Sequence, residues 1–406
     1  MRFCMVTTFY PPYHFGGDGT YIRALSQGLV NRGHDVTVVH CEDAYRLSGR
    51  ALHVDDQPSA ITVHRLKSRF GPLSPLLTQQ TGHPLLKYRA LKSILEQGFD
   101  VVNFHNISLV GGPGVIKLSN AKVNLYTLHE HWLICPTHIF WKNGEKACDV
   151  RTCFRCSIKS GIPPQLWRYG SLIKDSVQNV DCFIAPSQFT AGQHRDSGIS
   201  QPIRVVPLFS YLSPDQYGDE SDGNLNFITV GRITASKGIA ELVDSFSKWP
   251  DLMLRVVGDG DLLEPLRIKY QRFGNIQFLG QMPQQSLQQL YRQSTALILP
   301  SLAPETFGLT VVEAFACGVP AIVRIAGGNR ETVDQSAAGF LYQNEQQLYA
   351  AIHQFKDNPA LRARLGAKAR SAYEEHYTEA RHIDTYLEIV TDLLVTKGYA
   401  DAANNG

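Results

Sequence analysis

Apolar residues along the chain fall in short β-branched runs separated by stretches of helical period. Residues 2–8 read as a strand, 20–32 as a helix and 35–40 as a second strand, the opening of a βαβ unit in a parallel sheet. Further strands are predicted at 101–104, 123–127, 181–185 and 203–207, most of them ending in polar or turn residues. Residues 213–224, rich in Ser, Asp, Gly and Pro, carry no apolar period and predict a linker. Beyond it the rhythm restarts. Strands at 225–230, 252–257, 276–278, 296–299 and 321–323 alternate with helices and predict a second parallel sheet. Residues 382–395 repeat apolar positions at helical spacing and lead into a polar tail expected to fray.

Length turns this rhythm into a domain count. With 406 residues, 43% of them hydrophobic, the chain can fill two cores of ordinary size. The predicted boundaries are 1–215 for an N-terminal domain, with an insertion at 133–160, and 222–380 for a C-terminal domain. A last helix at about 382–398 is expected to pack back on the first domain. Charge is balanced, 39 basic against 37 acidic residues, so no net field points to nucleic acid. No apolar run approaches the ~20 residues of a membrane span, and Met1 to Val6 reads as a strand, not a signal peptide, which predicts a cytoplasmic protein. Cys4, Cys41, Cys182 and Cys317 sit in or beside apolar runs and read as small core residues.

Candidate chemistry concentrates in the second half. Gly231-Arg232 ends a strand, and Lys237-Gly238 precedes a helix. Backbone N–H groups, the helix dipole and two cations there suit a diphosphate, although solvated loop cations would look the same. A second strand leads to Pro304-Glu305-Thr306-Phe307-Gly308-Leu309 and a helix through Glu313. On one regular helix an eight-residue spacing would set Glu305 and Glu313 about 80° apart, so both carboxylates can face one ligand and accept from its hydroxyls. Favouring a helix N-terminal region is the competing reading for both acids. Gly327-Gly328 forms a third turn at the C-terminal end of a strand, where open α/β sheets bind ligands.

These motifs together resemble glycosyltransferase family 4. The match runs from about residue 227 to 342 through G-R-x4-K-G, V-V-G-D-G, E-x-F-G-L-x3-E-A, A-C-G-V-P and G-G-x-x-E. The resemblance implies an α/β fold of GT-B type, two facing Rossmann-like domains with parallel sheets and an inter-domain cleft. It implies retaining transfer of a sugar from a nucleotide diphosphate sugar, UDP-, GDP- or ADP-linked, to an acceptor hydroxyl in polysaccharide, lipopolysaccharide or other glycoconjugate synthesis. By the same resemblance Arg232 and Lys237 hold the diphosphate, Glu313 takes the ribose hydroxyls, and Glu305 meets the sugar with the backbone of Phe307, Gly308 and Leu309. The base is expected near Val257 to Gly260, at Gly258 and Gly260, and near Gly280 to Met282, and chemistry needs no cofactor or metal. Asp261, in the run Asp259-Gly260-Asp261, reads as a helix cap.

In the first half, Gly16-Gly17 between strand and helix can bring N–H groups to the donor or acceptor, while Asp18 reads as a helix cap. His129 follows the strand at 123–127, and the resemblance places it at the reaction centre; Glu130 departs from the family's usual aspartate. Cys135, Cys148, Cys153 and Cys156 lie in a Lys- and Arg-rich insertion and fit a structural zinc site, with an iron–sulfur cluster or unligated thiols as alternatives. Residues 65–92 mix leucines with cations. An ordinary surface loop and half-buried helix is the favoured reading, and peripheral contact with the inner face of a membrane is the other. The implied partners are a nucleotide sugar and a glycan or lipid-linked acceptor. Two other functions stand beside this one: a non-catalytic nucleotide-sugar sensor, and a dinucleotide-dependent oxidoreductase. Against the last, Gly17-Asp18-Gly19 and Gly258-Asp259-Gly260 both fail to complete G-x-G-x-x-G.

Overall fold

The computed structural model describes residues 1–14, 16–47, 60–212 and 225–399. The predicted linker at 213–224 and the end of the polar tail lie outside them. The chain divides into two units, one of residues 1–138, 152–206 and 382–406, the other of residues 139–151 and 207–381.

The first unit begins with β1 (Arg2–Val6), α1 (Gly17–Asn31), β2 (Asp35–Cys41), α2 (Glu42–Arg46) and β3 (Thr62–Leu66). Next come α3 (Leu73–Thr81), α4 (Tyr88–Leu95), β4 (Val101–Phe104) and β5 (Val123–Thr127). A short antiparallel hairpin, β6 (Trp141–Lys142) and β7 (Lys146–Ala147), interrupts it and is counted with the second unit. It resumes with α5 (Cys153–Lys159), α6 (Leu172–Val177), β8 (Cys182–Ala185), α7 (Gln188–Asp196) and β9 (Ile203–Val205). Seven strands form one parallel sheet in the order β3-β2-β1-β4-β5-β8-β9. Every residue of β4, β5 and β8 is buried, as expected of inner strands covered by helices on both faces.

The second unit continues with β10 (Asn226–Val230), α8 (Ile239–Ser247), β11 (Met253–Val257), α9 (Leu263–Tyr270), β12 (Ile276–Gly280), α10 (Gln284–Arg292) and β13 (Ala296–Leu299). It closes with α11 (Leu309–Ala316), β14 (Ala321–Arg324), α12 (Asn329–Ser336), β15 (Gly339–Tyr342), α13 (Glu345–Asp357) and α14 (Pro359–His376). Its sheet is parallel with the order β12-β11-β10-β13-β14-β15. The order reverses beside the first strand in both sheets, between β1 and β4 and between β10 and β13. That is the topological switch point where Rossmann-type sheets take ligands outside the carboxyl ends of the strands.

The last helix, α15 (Glu379–Thr396), buries His382, Ile383, Tyr386, Ile389, Val390 and Leu394, one stripe at helical spacing. From its His382 onward it belongs to the first unit, where Asn103 Nδ2 on β4 donates to Tyr386 Oη at 3.2 Å. Besides the two-residue strands β6 and β7, two strands of the parallel sheets escape the sequence pattern. β3 and β15 are both sheet edges, and each buries a single residue, so their apolar signal is weak.

Candidate active site

In the second unit four connections leave the C-terminal ends of adjacent strands, and main-chain contacts bind them into one rim. Glycines permit the close approaches. A Cβ on Gly258, whose φ is 136°, would lie 1.9 Å from the carbonyl oxygen of Gly231, and one on Gly238, at φ 67°, would lie 2.1 Å from that of Pro300. The Ser236 carbonyl accepts from the N–H groups of Leu302 and Ala303, each at 2.9 Å. Glu305 N–H donates to the Ala326 carbonyl at 3.0 Å, and Gly328 N–H to the Glu305 carbonyl at 2.8 Å. A Cβ on Gly327 would strike the Glu305 main chain at 2.5 Å, which is why this turn needs glycine. Gly260 is similarly pressed against Ile233.

On this rim Lys237 Nζ pairs with Glu305 Oε1 at 2.5 Å, and the same oxygen accepts from Ser301 Oγ at 2.5 Å. Arg232 is exposed, and its guanidinium has no partner among the described residues. Phe307 is a core residue, so only its main chain is available to a ligand; Gly308 precedes α11, and Leu309 is the first residue of that helix. Glu313, one turn further, is half-buried and accepts from Tyr291 Oη of α10 at 3.1 Å. Burial pushes the Glu313 carboxyl up to about 7, against the opposing pull of the Tyr291 hydrogen bond. The arrangement offers an exposed cation, a second cation held by a carboxylate, the N–H groups opening α11 and a recessed carboxylate. An anion beside a polyhydroxylated group is what such a set can bind.

The expected cap at Asp261 is not formed. The residue before α9 is Leu262, and Asp259 instead takes a local bond, its Oδ1 accepting from Gly260 N–H at 2.8 Å. Asp18 is no cap either, because α1 starts at Gly17 and places Asp18 inside its first turn, accepting from Gly19 N–H at 2.9 Å. Burial, with the nearby Glu130 carboxylate, raises Asp18 to about 6.

At the first unit's switch point, Gly16, with φ 91°, and Gly17 open α1 after β1. His129 follows β5, and its Nε2 lies 3.0 Å from Nδ1 of His105, which follows β4. The two rings stack at 5.2 Å between centroids. Tyr21 of α1 sets its ring edge-on to His129 at 4.9 Å and hydrogen-bonds His382 at 2.7 Å. Burial, then the His382 charge, holds His129 down to about 3, so it stays neutral near pH 7. Glu130 pairs with His138 at 2.8 Å.

The sequence reading did not single out His105, Ser301, Tyr291 or His382. The polar pair His105-Asn106 at the end of a predicted strand was the available signal for the first. The others come from helices and loops distant in sequence and carry no local mark.

Cys135 and Cys156 are buried, Cys148 and Cys153 half-buried, and none is in a disulfide. Cys135 Sγ lies 3.2 Å from Thr137 Oγ1, and Cys156 Sγ 3.9 Å from Ser160 Oγ. Among the described residues no group of three or more His, Cys, Asp or Glu side chains is gathered to hold a metal ion. No helix among them is long and apolar enough to cross a membrane.

Comparison with known proteins places both units. Residues 15–209 match the family model described as glycosyltransferase family 4, and residues 216–372 the one described as glycosyl transferases group 1. Among curated relatives, an uncharacterized 42.6 kDa protein in the cps region of Klebsiella pneumoniae is 25% identical over 359 residues, 82% of this chain and 87% of its own length. The sucrose-phosphate synthase structure of Thermosynechococcus elongatus superposes with a TM-score of 0.72 at 18% identity, covering 97% of this chain and 99% of its own. Anabaena HepE in complex with UDP and glucose gives 0.70 at 19% identity, over 97% of this chain and all (100%) of its own. Two unit-by-unit family matches and a shared fold across the full length converge on one conclusion: the chain is a glycosyltransferase of GT-B fold, related to the family 4 and group 1 glycosyltransferases.

Proposed function

We propose that the protein moves a sugar from a nucleotide diphosphate sugar to an acceptor hydroxyl with retention of anomeric configuration, in the synthesis of a polysaccharide, lipopolysaccharide or other glycoconjugate. The observation that carries this reading is the rim of the second unit, where Lys237 and Glu305 pair beside the exposed Arg232. HepE, of the same fold, is described with UDP and glucose, and a relative comes from a cps region, both in keeping with it.

In this mechanism the diphosphate leaves toward Arg232 and Lys237, which stabilise the charge that grows on it. Glu313 accepts from the ribose hydroxyls. Glu305 orients Lys237 and meets the sugar, and the N–H groups at Gly308 and Leu309 meet the phosphate or the sugar. Gly16 and Gly17 bring main-chain donors to the same substrate, and neutral His129 contacts the reacting sugar. The acceptor attacks from the face the diphosphate leaves. Incubation with a panel of UDP-, GDP- and ADP-sugars tests the reading. Slow release of nucleotide diphosphate with one donor, faster with acceptor, is expected, and binding of a donor without release under any acceptor would make the protein a sensor instead.

The reading includes a structural zinc at the insertion and a cytoplasmic site of action, where its thiols stay reduced. The insertion carries zinc-type ligands by residue: Cys153 and Cys156 are three apart on α5 and so share one face, and Cys135 and Cys148 are the other two thiols of the segment. Such a metal would hold the loop and take no part in transfer. Elemental analysis of protein purified without chelator should find about one zinc per chain, lowered by Cys153→Ser. Metal-free protein with unchanged stability would refute the site.

A further inference from the structure

We propose that a cavity on the first unit, walled by residues 83–86, Tyr88, Arg89 and Gly114, binds a phosphate ester with an apolar tail, the end group of a lipid-linked acceptor. The inference rests on the transferase reading and supplies its acceptor class. The cavity is open to solvent on one side and has a volume of about 510 Å³, within the usual size of a small-molecule site. Its apolar wall is Leu85, Leu86 and Tyr88, whose side chains remain 46%, 42% and 44% exposed. Its basic groups are His83 and Arg89, and no carboxylate lines it. Neither side chain has an ion pair or side-chain hydrogen bond among the described residues, so the Arg89 guanidinium is uncompensated. Apolar surface beside uncompensated positive charge calls for an amphiphile with an anionic head.

The wall is built and rigid. Lys87, between the exposed leucines and α4, is itself buried and donates to Ser74 Oγ at 3.0 Å and Thr78 Oγ1 at 3.1 Å, locking this segment to α3. Gly114 N–H donates to the Gly82 carbonyl at 2.9 Å, and a Cβ on Gly114 would lie 2.4 Å from His83 Nδ1. Leu85 is held at φ 33°, a conformation that costs a side-chain-bearing residue free energy, yet the leucine is left exposed. Gly114 lies on the connection that starts with His105 and Asn106 at the end of β4, so the cavity and the histidine pair are carried by the same loop.

Calorimetric titration of the full chain with farnesyl diphosphate, inorganic diphosphate and farnesol tests the proposal, with sedimentation on phosphatidylglycerol vesicles in parallel. Farnesyl diphosphate should bind at least tenfold more tightly than either fragment. Arg89→Glu and Leu86→Asp should each weaken it tenfold or more while melting temperature and donor hydrolysis hold, since both side chains are exposed. Unchanged affinity in both variants would overturn the proposal. So would inorganic diphosphate binding as tightly as the farnesyl ester, which describes a site for a small anion alone. Vesicle binding without farnesyl diphosphate binding would make this a membrane-docking face and overturn it as well. Nucleotide release with the donor and acceptor panel on the same preparation separates the two readings: if it is absent under every acceptor while the amphiphile binds, the transferase reading falls and the cavity stands.

Discussion

Lys237 and Glu305, 68 residues apart in sequence, form an ion pair that joins the loop after β10 to the loop after β13. The pair is partly buried, with side chains 24% and 18% exposed, and Ser301 shares its carboxylate oxygen. Its geometry holds the ammonium at the switch point of the sheet, where it can meet a leaving diphosphate. Lys237→Ala should therefore raise the barrier to nucleotide release by roughly 2–4 kcal/mol, as loss of a preorganised charge-stabilising donor does. Donor hydrolysis and transfer rates read the effect, and near-normal turnover would remove Lys237 from the chemistry. Glu305→Gln keeps a hydrogen-bonding acceptor and should cost less than Glu305→Ala.

Close main-chain contact makes Gly238 a sensitive position. An alanine there must take φ 67° and place its methyl 2.1 Å from the Pro300 carbonyl oxygen, so the loops after β10 and β13 must separate. A destabilisation of about 2–4 kcal/mol is expected, with weaker donor binding because Lys237 and Glu305 lie on those two loops. Gly274→Ala is the control. Its Cβ would meet nothing within 4 Å, and urea unfolding should show little change. Equal stability of the two variants would contradict the tight contact.

Glu313 carries a pH signature. Its folded carboxyl is raised to about 7 from 4.5 by burial, so between those values the native state holds a proton that the unfolded chain has released. Stability from this group is thus greatest below about pH 4.5 and is lost as pH rises through 7. Glu313→Gln should gain on the wild type by roughly 1–3 kcal/mol at pH 8 relative to pH 5. Chemical unfolding at the two pH values measures it; parallel curves would show that the carboxyl is ionised in the fold at both. Because an ionised carboxylate is the better acceptor for hydroxyls, nucleotide affinity should depend on pH in the same range in the wild type and not in Glu313→Gln.

Much of this was legible in the sequence for a physical reason. Inner parallel strands such as β4, β5 and β13 bury every residue and so print mostly apolar runs, broken only by Asn103 in β4 and by Asn124 and Thr127 in β5, and the glycines at 231, 238, 258 and 327 mark turns where a Cβ would collide or φ is positive. Edge strands β3 and β15 print little, because all but one residue of each is exposed or half-buried. Asp18 and Asp261 resemble caps locally, but a helix start is fixed by where the main chain turns, one or two residues away in each case. The supporting groups were invisible. Tyr291 reaches Glu313 from α10, and His105 and His382 reach the neighbourhood of His129 and Tyr21 from the loop after β4 and from α15, relations only the tertiary fold creates.

Buried neutral histidines should set the acid limit of the first unit. His40 is fully buried at the end of β2, both its ring nitrogens lack a hydrogen bond among the described residues, and burial, assisted by Arg65, lowers it to about 4. His129 and His131 are each lowered to about 3, again chiefly by burial, and His105 lies well below its usual value. Each group stays neutral in the fold while the unfolded chain takes up a proton below about 6.5, so its contribution is present above that pH and is lost as pH falls toward the folded value. One such histidine tilts stability by about 1.4 kcal/mol per pH unit. His40→Leu removes a titrating group and two unsatisfied nitrogens together. It should be close to neutral at pH 7 and more stable than the wild type at pH 5 by roughly 2 kcal/mol, before any loss from imperfect packing. Urea unfolding at pH 7, 6 and 5 gives the slopes, and a variant that tracks the wild type in parallel across that range would mean His40 takes up its proton in the fold just as it does in the unfolded chain.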